Sequence, residues 1–315
     1  MPGSLPMRAE SALPPARSKE LERQLEGLQW LQIAFVHEVQ GDLSWHGFAG
    51  SLWHGVLGAA LHDIDAGAYA ALYGAQDDDT RLWSLVPPLV EDEWVPAGAC
   101  MTSQLRLVGP LMPLAGACVA AFAAFGHRGL GSERVPARLV DVQLHGPWGP
   151  CTLSDTPAAV WCGLDVWDDA QHGATDTALE LRCHTPLRFK HRGEVCTEVP
   201  AFEDLLRRAI ARVARLLSAQ GLEQRFMAEG EKAGWLDWAG LVPLLHSEAV
   251  PVRVPRYSAR QRREMVFEGL GGRWLYGAPA TRALPWLRLA QCLQLGAKTT
   301  FGFGVIECVA VQEPV

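Results

Sequence analysis

Alternation and helical spacing of the apolar positions divide the chain into two similar runs of elements. Residues 28–39 (LQWLQIAFVHEV), rich in β-branched and aromatic side chains, read as a strand. Over residues 47–63 the apolar positions Ala49, Leu52, Trp53, Val56, Leu57, Ala60 and Leu61 recur at i, i+3 and i+4, which predicts an amphipathic helix. Its other side carries Gly47, Ser51, His54, Gly58 and His62. That side is small apart from its two histidines, so another backbone can come close and bring the histidines within reach. Residues 102–108 read as a strand, and 111–125 as a helix with Leu114, Ala115, Cys118, Phe122 and Phe125 on one face. A glycine-rich turn over 126–131 ends it, and 135–145 read as a strand. This order is that of a split βαβ sandwich, with helices on one face of an antiparallel sheet.

The stretch 146–173, rich in Gly, Pro and Asp, predicts a connection, and the second half then repeats the order. Residues 178–185 form a strand, and 202–220 a long helix with Phe202, Leu205, Leu206, Ala209, Val213, Leu216 and Leu217 inward. Arg207, Arg208, Arg212 and Arg215 are read as lying off that stripe. Strands follow at 250–254 and 265–268, with 269–272 as a hairpin turn into a strand at 273–276. A helix over 284–295, with Pro285 in its first turn, leads to a closing strand over 303–311. The expected organisation is a flexible tail (1–26), an N-terminal domain (27–150), a connection (151–175) and a C-terminal domain (176–315). The repetition is one of pattern only.

Composition agrees with two packed domains, since 315 residues at 49% hydrophobic content suffice for two cores. No apolar run reaches the length of a membrane span, and residues 1–26 lack the apolar core of a signal peptide. Eight cysteines are scattered without Cys-x-x-Cys spacing, which points to neither a zinc site nor a disulfide framework and fits a reducing cytoplasm. No metal or cofactor is expected. A net charge of −7 argues against indiscriminate nucleic-acid binding, yet the charge is unevenly divided. Residues 1–179 hold 9 Lys and Arg against 21 Asp and Glu, net −12, whereas residues 180–315 hold 19 against 14, net +5. A basic half in an acidic protein points to one localised anionic partner.

The candidate chemistry centres on residues 295–304 (LGAKTTFGFG). Gly296, Gly302 and Gly304 surround Lys298, Thr299 and Thr300, and such a turn suits a phosphate backbone. It is not a Walker loop, because the Gly-Lys-Ser/Thr order is missing, and not a dinucleotide fingerprint, because helix precedes and strand follows. From these residues alone, a phosphate cradle and a tight helix-to-strand turn both remain open. Asp77, Asp78 and Asp79 mark an exposed acidic loop.

The run Arg256-Tyr-Ser-Ala-Arg-Gln, then Met265, Gly269, Gly271-Gly272 and the 295–304 turn, resembles the C-terminal half of the repeat-cleaving endoribonuclease of the RAMP superfamily, the sixth Cas protein. Thr185-Pro-Leu-Arg-Phe-Lys190 resembles that family's second-domain opening strand, and residues 125–131 with Arg134 its first glycine-rich turn. Residues 47–61 resemble its first helix, and 69–74 the segment after it. Together these cover most of residues 28–311.

The resemblance implies tandem ferredoxin-like (RRM-like) domains holding CRISPR repeat RNA. It further implies metal-independent cleavage of pre-crRNA, with other Cas proteins of an effector complex as further partners. In that reaction the upstream 2′-hydroxyl attacks the adjacent phosphate and leaves a 2′,3′-cyclic phosphate and a 5′-hydroxyl. The step asks for a base, a cation against the phosphorane charge, and an acid for the leaving oxygen. Histidine, with a free pKa of about 6.5, suits the first and third, and lysine or arginine the second.

His54 is the expected catalytic histidine, His46 the second candidate and His37 the third. Lys298 is the expected phosphate contact and charge stabiliser. Thr299, Thr300, Gly302 and Gly304 are expected beside it as RNA contacts, with Arg256, Arg260, Arg262 and Arg263 as a basic cluster fixing the RNA backbone. Trp45, Trp53 and Tyr257 are candidates for stacking on bases or for the core. An arginine common in the family near position 54 is absent, so a repeat-RNA-binding subunit that does not cut is the alternative.

Overall fold

The computed structural model describes residues 13–45, 47–74, 80–90, 93–151, 158–173, 177–191, 194–222, 226–228, 230–258 and 263–313. The acidic run 77–79 lies outside them. The first half comprises α1 (Lys19–Gly27), β1 (Gln29–Val39), β2 (Leu43–Ser44), α2 (Ala49–Ile64), α3 (Ala66–Tyr73), β3 (Trp83–Val86), β4 (Trp94–Val95), β5 (Cys100–Val108), α4 (Ala115–Ala123), α5 (Phe125–Arg128), β6 (Ala137–Gly146), β7 (Gly149–Cys151) and β8 (Trp161–Cys162). The second comprises α6 (Gly163–His172), β9 (Ala178–Leu187), β10 (Lys190–His191), β11 (Glu194–Val195), α7 (Phe202–Ala219), α8 (Glu231–Ala239), β12 (Leu244–Ser247), β13 (Val250–Ser258), β14 (Arg263–Tyr276), α9 (Leu284–Leu293) and β15 (Ile306–Val311).

Both halves form the same antiparallel sheet. In the first the order is β3-β5-β1-β6, and in the second β12-β14-β9-β15, with β13 also paired to β14. Each order places the opening strand between the closing strand and the third, as in a ferredoxin-like βαββαβ unit. The fold is therefore α+β, two tandem ferredoxin-like domains.

Alternation explains the burial. On β1, Leu31, Ile33, Phe35, His37 and Val39 face one way and are buried, and the apolar ones join α2 and α4 in the first core. Trp30 faces the other way and joins the second core with Leu82 and Val108, so the outer face of the first sheet packs against the second domain. A small third cluster, Val254, Phe267, Phe301 and Phe303 with Phe48 against it, lies at the junction of the halves.

Several expectations are corrected. Residues 19–26, read as part of a tail, belong to helix α1, capped by the Ser18 hydroxyl, with Leu21 and Leu25 fully buried in the second core. Only two apolar positions at i, i+4 carry it, too few for a clear periodic signal. Within the expected connection, α6 buries Val166, Trp167 and Ala170. The expected hairpin at 269–272 is absent: β14 runs unbroken through it, with a register shift between Leu270 and Gly272. Its glycines serve close approach, because a Cβ on Gly269 would crowd the Leu187 carbonyl and one on Gly272 the Glu248 carbonyl. The expected helix over 111–125 begins as a 3-10 turn (Gly109–Leu114) and continues as α4 and α5. This helical run, Gly109–Arg128, is long and apolar enough to cross a membrane by length and composition. Its Cys118, Ala121, Phe122 and Phe125 nonetheless pack in the first core.

His37, the third histidine candidate, sits within that core. Its Nε2 donates to the Phe122 carbonyl at 3.0 Å, its ring stacks on Phe125, and its Nδ1 is buried without a partner. Burial holds its pKa below the usual 6.5, because the imidazolium would lose its water. As pH falls through 6.5 the unfolded chain then binds more protons than the folded chain at this group, by up to one. Stability is expected to be insensitive to this group above that pH and to fall below it, by up to about 1.4 kcal/mol per pH unit. Urea unfolding of the protein and of His37→Gln between pH 5 and 8 checks this; equal slopes below pH 6.5 would remove His37 as the cause.

Candidate active site at the domain junction

The glycine-rich turn begins where α9 ends. Gln294 (φ 57°) and Lys298 (φ 67°) adopt the left-handed region, as do Gly296, Gly302 and Gly304. The turn closes on itself and on the end of β9 and the residue after it: Leu295 N–H donates to the Gly304 carbonyl (3.0 Å), Phe301 N–H to that of Lys298 (2.9 Å), Ala297 N–H to that of Arg188 (2.9 Å) and Gly304 N–H to that of Pro186 (2.9 Å). A Cβ on Gly304 would overlap the Leu295 carbonyl, and one on Gly302 the Pro87 ring. The glycines therefore permit tight packing of protein on protein.

Four expected RNA contacts are thereby corrected. Thr299 and Thr300 are 1% exposed, and Gly302 and Gly304 are buried. The Thr299 hydroxyl accepts from Arg212 (3.4 Å), and the Thr300 carbonyl from His54 Nδ1 (3.0 Å). The turn is a wedge driven between β3 and α2, and only its Gly296–Lys298 shoulder keeps partial exposure.

Around that wedge three distant residues converge. The His54 ring stacks on Phe301 at 3.8 Å between centroids and on Trp83 at 5.6 Å. The Arg256 guanidinium lies over Phe301 at 4.4 Å and over Phe267 at 5.1 Å. Phe301 thus carries both His54 and Arg256 on its ring. Lys298 Nζ sits over Phe267 at 5.4 Å, and Phe267 meets Phe301 edge-on at 5.3 Å. A histidine and two half-buried cations from α2, β13 and the turn thus share one aromatic platform. Because His54 Nδ1 faces a carbonyl, it must carry the proton there, which leaves Nε2 as the basic nitrogen of the neutral ring. Tyr73 fixes the helix at this point by donating to the His54 carbonyl at 2.8 Å.

The other candidates are placed as follows. His46, Arg260 and Arg262 lie outside the described residues. Beside His46, Trp45 is buried and a Cβ on Gly47 would crowd the Pro255 carbonyl, so the entry to α2 abuts β13. Arg263 opens β14 opposite Ser258. Trp45 and Trp53 are core residues packed edge-on at 6.2 Å, not stacking platforms. Tyr257 lies within β13.

Two buried arginines that the sequence reading did not assign to the site hold the turn in place. Arg106 of β5 donates to Gln294 Oε1 (2.9 Å) and Gln32 Oε1 (3.3 Å), and Gln294 Nε2 in turn donates to the Leu85 and Phe303 carbonyls (3.0 Å each). Burial pushes the Arg106 pKa down to about 10, still charged at neutral pH. Arg212, read as lying off the apolar stripe, is 3% exposed and donates to the Leu293 carbonyl (3.1 Å) at the end of α9. The signal existed: Arg212 follows Ala209 at i+3 and precedes Leu216 at i+4, in line with the apolar stripe. Nothing local marks Arg106. Among the described residues, no group of three or more His, Cys, Asp or Glu is placed to hold a metal ion.

Comparison with known proteins bears on this geometry. Residues 181–306 match the sequence model of the CRISPR-associated endoribonuclease Cas6. A search of curated proteins finds no match. Among solved structures, the chain is similar to a Thermus thermophilus Cas6 in its product complex, at 16% identity and TM-score 0.56, covering 89% of this chain and 100% of that one. It is also similar to a partial Cas6-RT-Cas1–Cas2 complex, at 10% identity and TM-score 0.66, covering 90% of this chain and 46% of that one. A RAMP protein binding different RNA substrates matches at 11% identity and TM-score 0.50, covering 89% and 99%.

Proposed function

From a C-terminal domain that matches the Cas6 family, we propose that the protein binds CRISPR repeat RNA and cuts pre-crRNA within each repeat without a metal ion. The observation that carries this reading is the gathering of His54, Arg256 and Lys298 around Phe301 and Phe267. His54 Nε2 takes the proton of the upstream 2′-hydroxyl as its oxygen bonds to phosphorus. Lys298 and Arg256 offset the charge that grows on the phosphorane oxygens. The bond to the 5′-oxygen then breaks, and that oxygen takes a proton the imidazolium can return. The products are a 2′,3′-cyclic phosphate and a 5′-hydroxyl. His46 is the second candidate for the base.

The product-complex Cas6 and the RAMP protein bound to RNA support RNA as the ligand. The Cas6-RT-Cas1–Cas2 assembly supports other Cas proteins as partners. Eight free thiols suit a reducing cytoplasm. One observation favours the second reading, a subunit that binds repeat RNA without cutting it: the His54 ring is enclosed by Trp83 and Phe301.

Incubation with repeat RNA in EDTA separates the two. Cleavage with a cyclic-phosphate end is expected; tight binding without a cut would select the second reading, and no preference over scrambled RNA would remove both. In the same assay Lys298→Ala is expected to weaken binding and to lower the slope of log affinity against log salt by about 0.7, the value for one single-strand phosphate contact. Equal affinity at every salt concentration would exclude Lys298 as a contact.

A further inference from the structure

Helix α2 runs between two turns that are built alike. In each domain a glycine-rich turn joins the last helical segment to the closing strand, after α5 in the first domain and after α9 in the second. Each turn carries a cation in the left-handed region: Arg134 at φ 52° and Lys298 at φ 67°. Among the described residues Gln294, at the entry to the second turn, is the one other non-glycine residue with positive φ. An L-residue there costs about 1 kcal/mol or more, and such strain concentrates where function requires it. The first turn is firmly closed. Leu130 and Val135 exchange both backbone hydrogen bonds (2.8 and 2.9 Å), and Arg134 N–H reaches the Gly131 carbonyl (3.3 Å). The Arg134 side chain stands exposed.

Between this turn and α2 opens a cleft of about 460 Å³. Gly55, Val56 and Ala59 form its helix wall, and His127, Arg128 and Arg134 face them. The helix wall holds nothing larger than valine, so the cleft stays open, and the opposite wall is cationic. Arg128 is paired with Asp63, which leaves Arg134 as the cation presented to a ligand. In a half whose net charge is −12, this is a local reversal of sign. His54 and Gly55 are successive residues about 100° apart around α2, and a helix is only about 10 Å across. The cleft therefore opens one step round the helix from the His54–Phe301 contact, within reach of a few nucleotides.

We propose that this cleft holds a backbone phosphate of the same RNA strand, flanking the segment held at Lys298, with Arg134 as its contact. This rests on the reading of the protein as an RNA binder. Arg134→Gly is the decisive variant, because glycine accepts positive φ without strain and the fold is expected to keep or raise its thermal midpoint. Affinity is measured with repeat RNA carrying a 2′-deoxy nucleotide at the cut position, in nested series shortened from each end. On the full repeat Arg134→Gly is expected to bind about 3- to 10-fold more weakly, with a salt slope lower by about 0.7. Arg134→Lys is expected to restore most of the loss. The deficit should vanish once one end is trimmed, while that of Lys298→Ala persists through the series. Wild-type affinity in Arg134→Gly, or a deficit independent of RNA length, would overturn the assignment. If the wild-type protein binds single strands without preferring the repeat, the repeat-specific reading fails, and a length-dependent Arg134 deficit on those strands still upholds the cleft. If it binds no RNA, both fall.

Discussion

His54→Asn is expected to lower the rate of repeat-RNA cleavage about 10²- to 10⁴-fold while leaving affinity within a few-fold of wild type. Asparagine is the informative replacement because its side-chain amide N–H can take the place of Nδ1–H and donate to the Thr300 carbonyl, so the junction keeps its hydrogen bond. What it removes is the basic Nε2. His54→Ala is expected to lose the same activity and some stability as well, since it deletes a ring packed between Trp83 and Phe301. Single-turnover rates with saturating protein separate cutting from binding. If His54→Asn cuts at the wild-type rate, His54 is a packing residue, and the base has to be sought at His46.

Gly50→Ala is the second large effect, and its sign runs against helix propensity. Gly50 lies in α2, where alanine would ordinarily gain about 1 kcal/mol. Here a Cβ would overlap the Phe301 carbonyl oxygen and crowd the Phe48 ring. The carbonyl cannot retreat cheaply, because the Phe301 N–H is tied to Lys298 and the Thr300 carbonyl to His54. We expect Gly50→Ala to cost about 1–3 kcal/mol by overpacking, and to depress cleavage because it pushes the wedge away from His54. Gly55→Ala, five residues on in the same helix with nothing within 4 Å of its added Cβ, is the matched control and should gain up to about 1 kcal/mol. Urea unfolding of the pair checks both signs. A stabilised Gly50→Ala would show that the two domains do not meet at this contact.

Much of the architecture was legible because it follows from local periodicity. The alternation in residues 28–39 and the i, i+3, i+4 spacing of Leu52, Trp53, Val56 and Leu57 gave β1 and α2 nearly to their ends. The small side of α2 correctly foretold a close neighbouring backbone: the Thr300 carbonyl and Phe301 lie against it. Glycine was where sequence reading went astray, since the same residue serves an open turn, a bulge or a crowded contact. The glycines of 269–272 read as a hairpin and proved to be a bulged strand, and those at 302 and 304, which left a phosphate cradle and a tight turn both open, belong to an interior wedge.

The sequence by itself determined the strand over 28–39, the helix that carries His54 and the turn that carries Lys298, because each depends on contacts between residues near in the chain. Only the tertiary structure decided that His54, Arg256 and Lys298 share one aromatic platform. It alone revealed that Arg106 and Arg212 are buried to hold the turn between them. His54, Arg106 and Arg212 reach hydrogen-bond partners 246, 188 and 87 residues away in the chain, where burial and the need to satisfy every buried polar group outweigh any local preference.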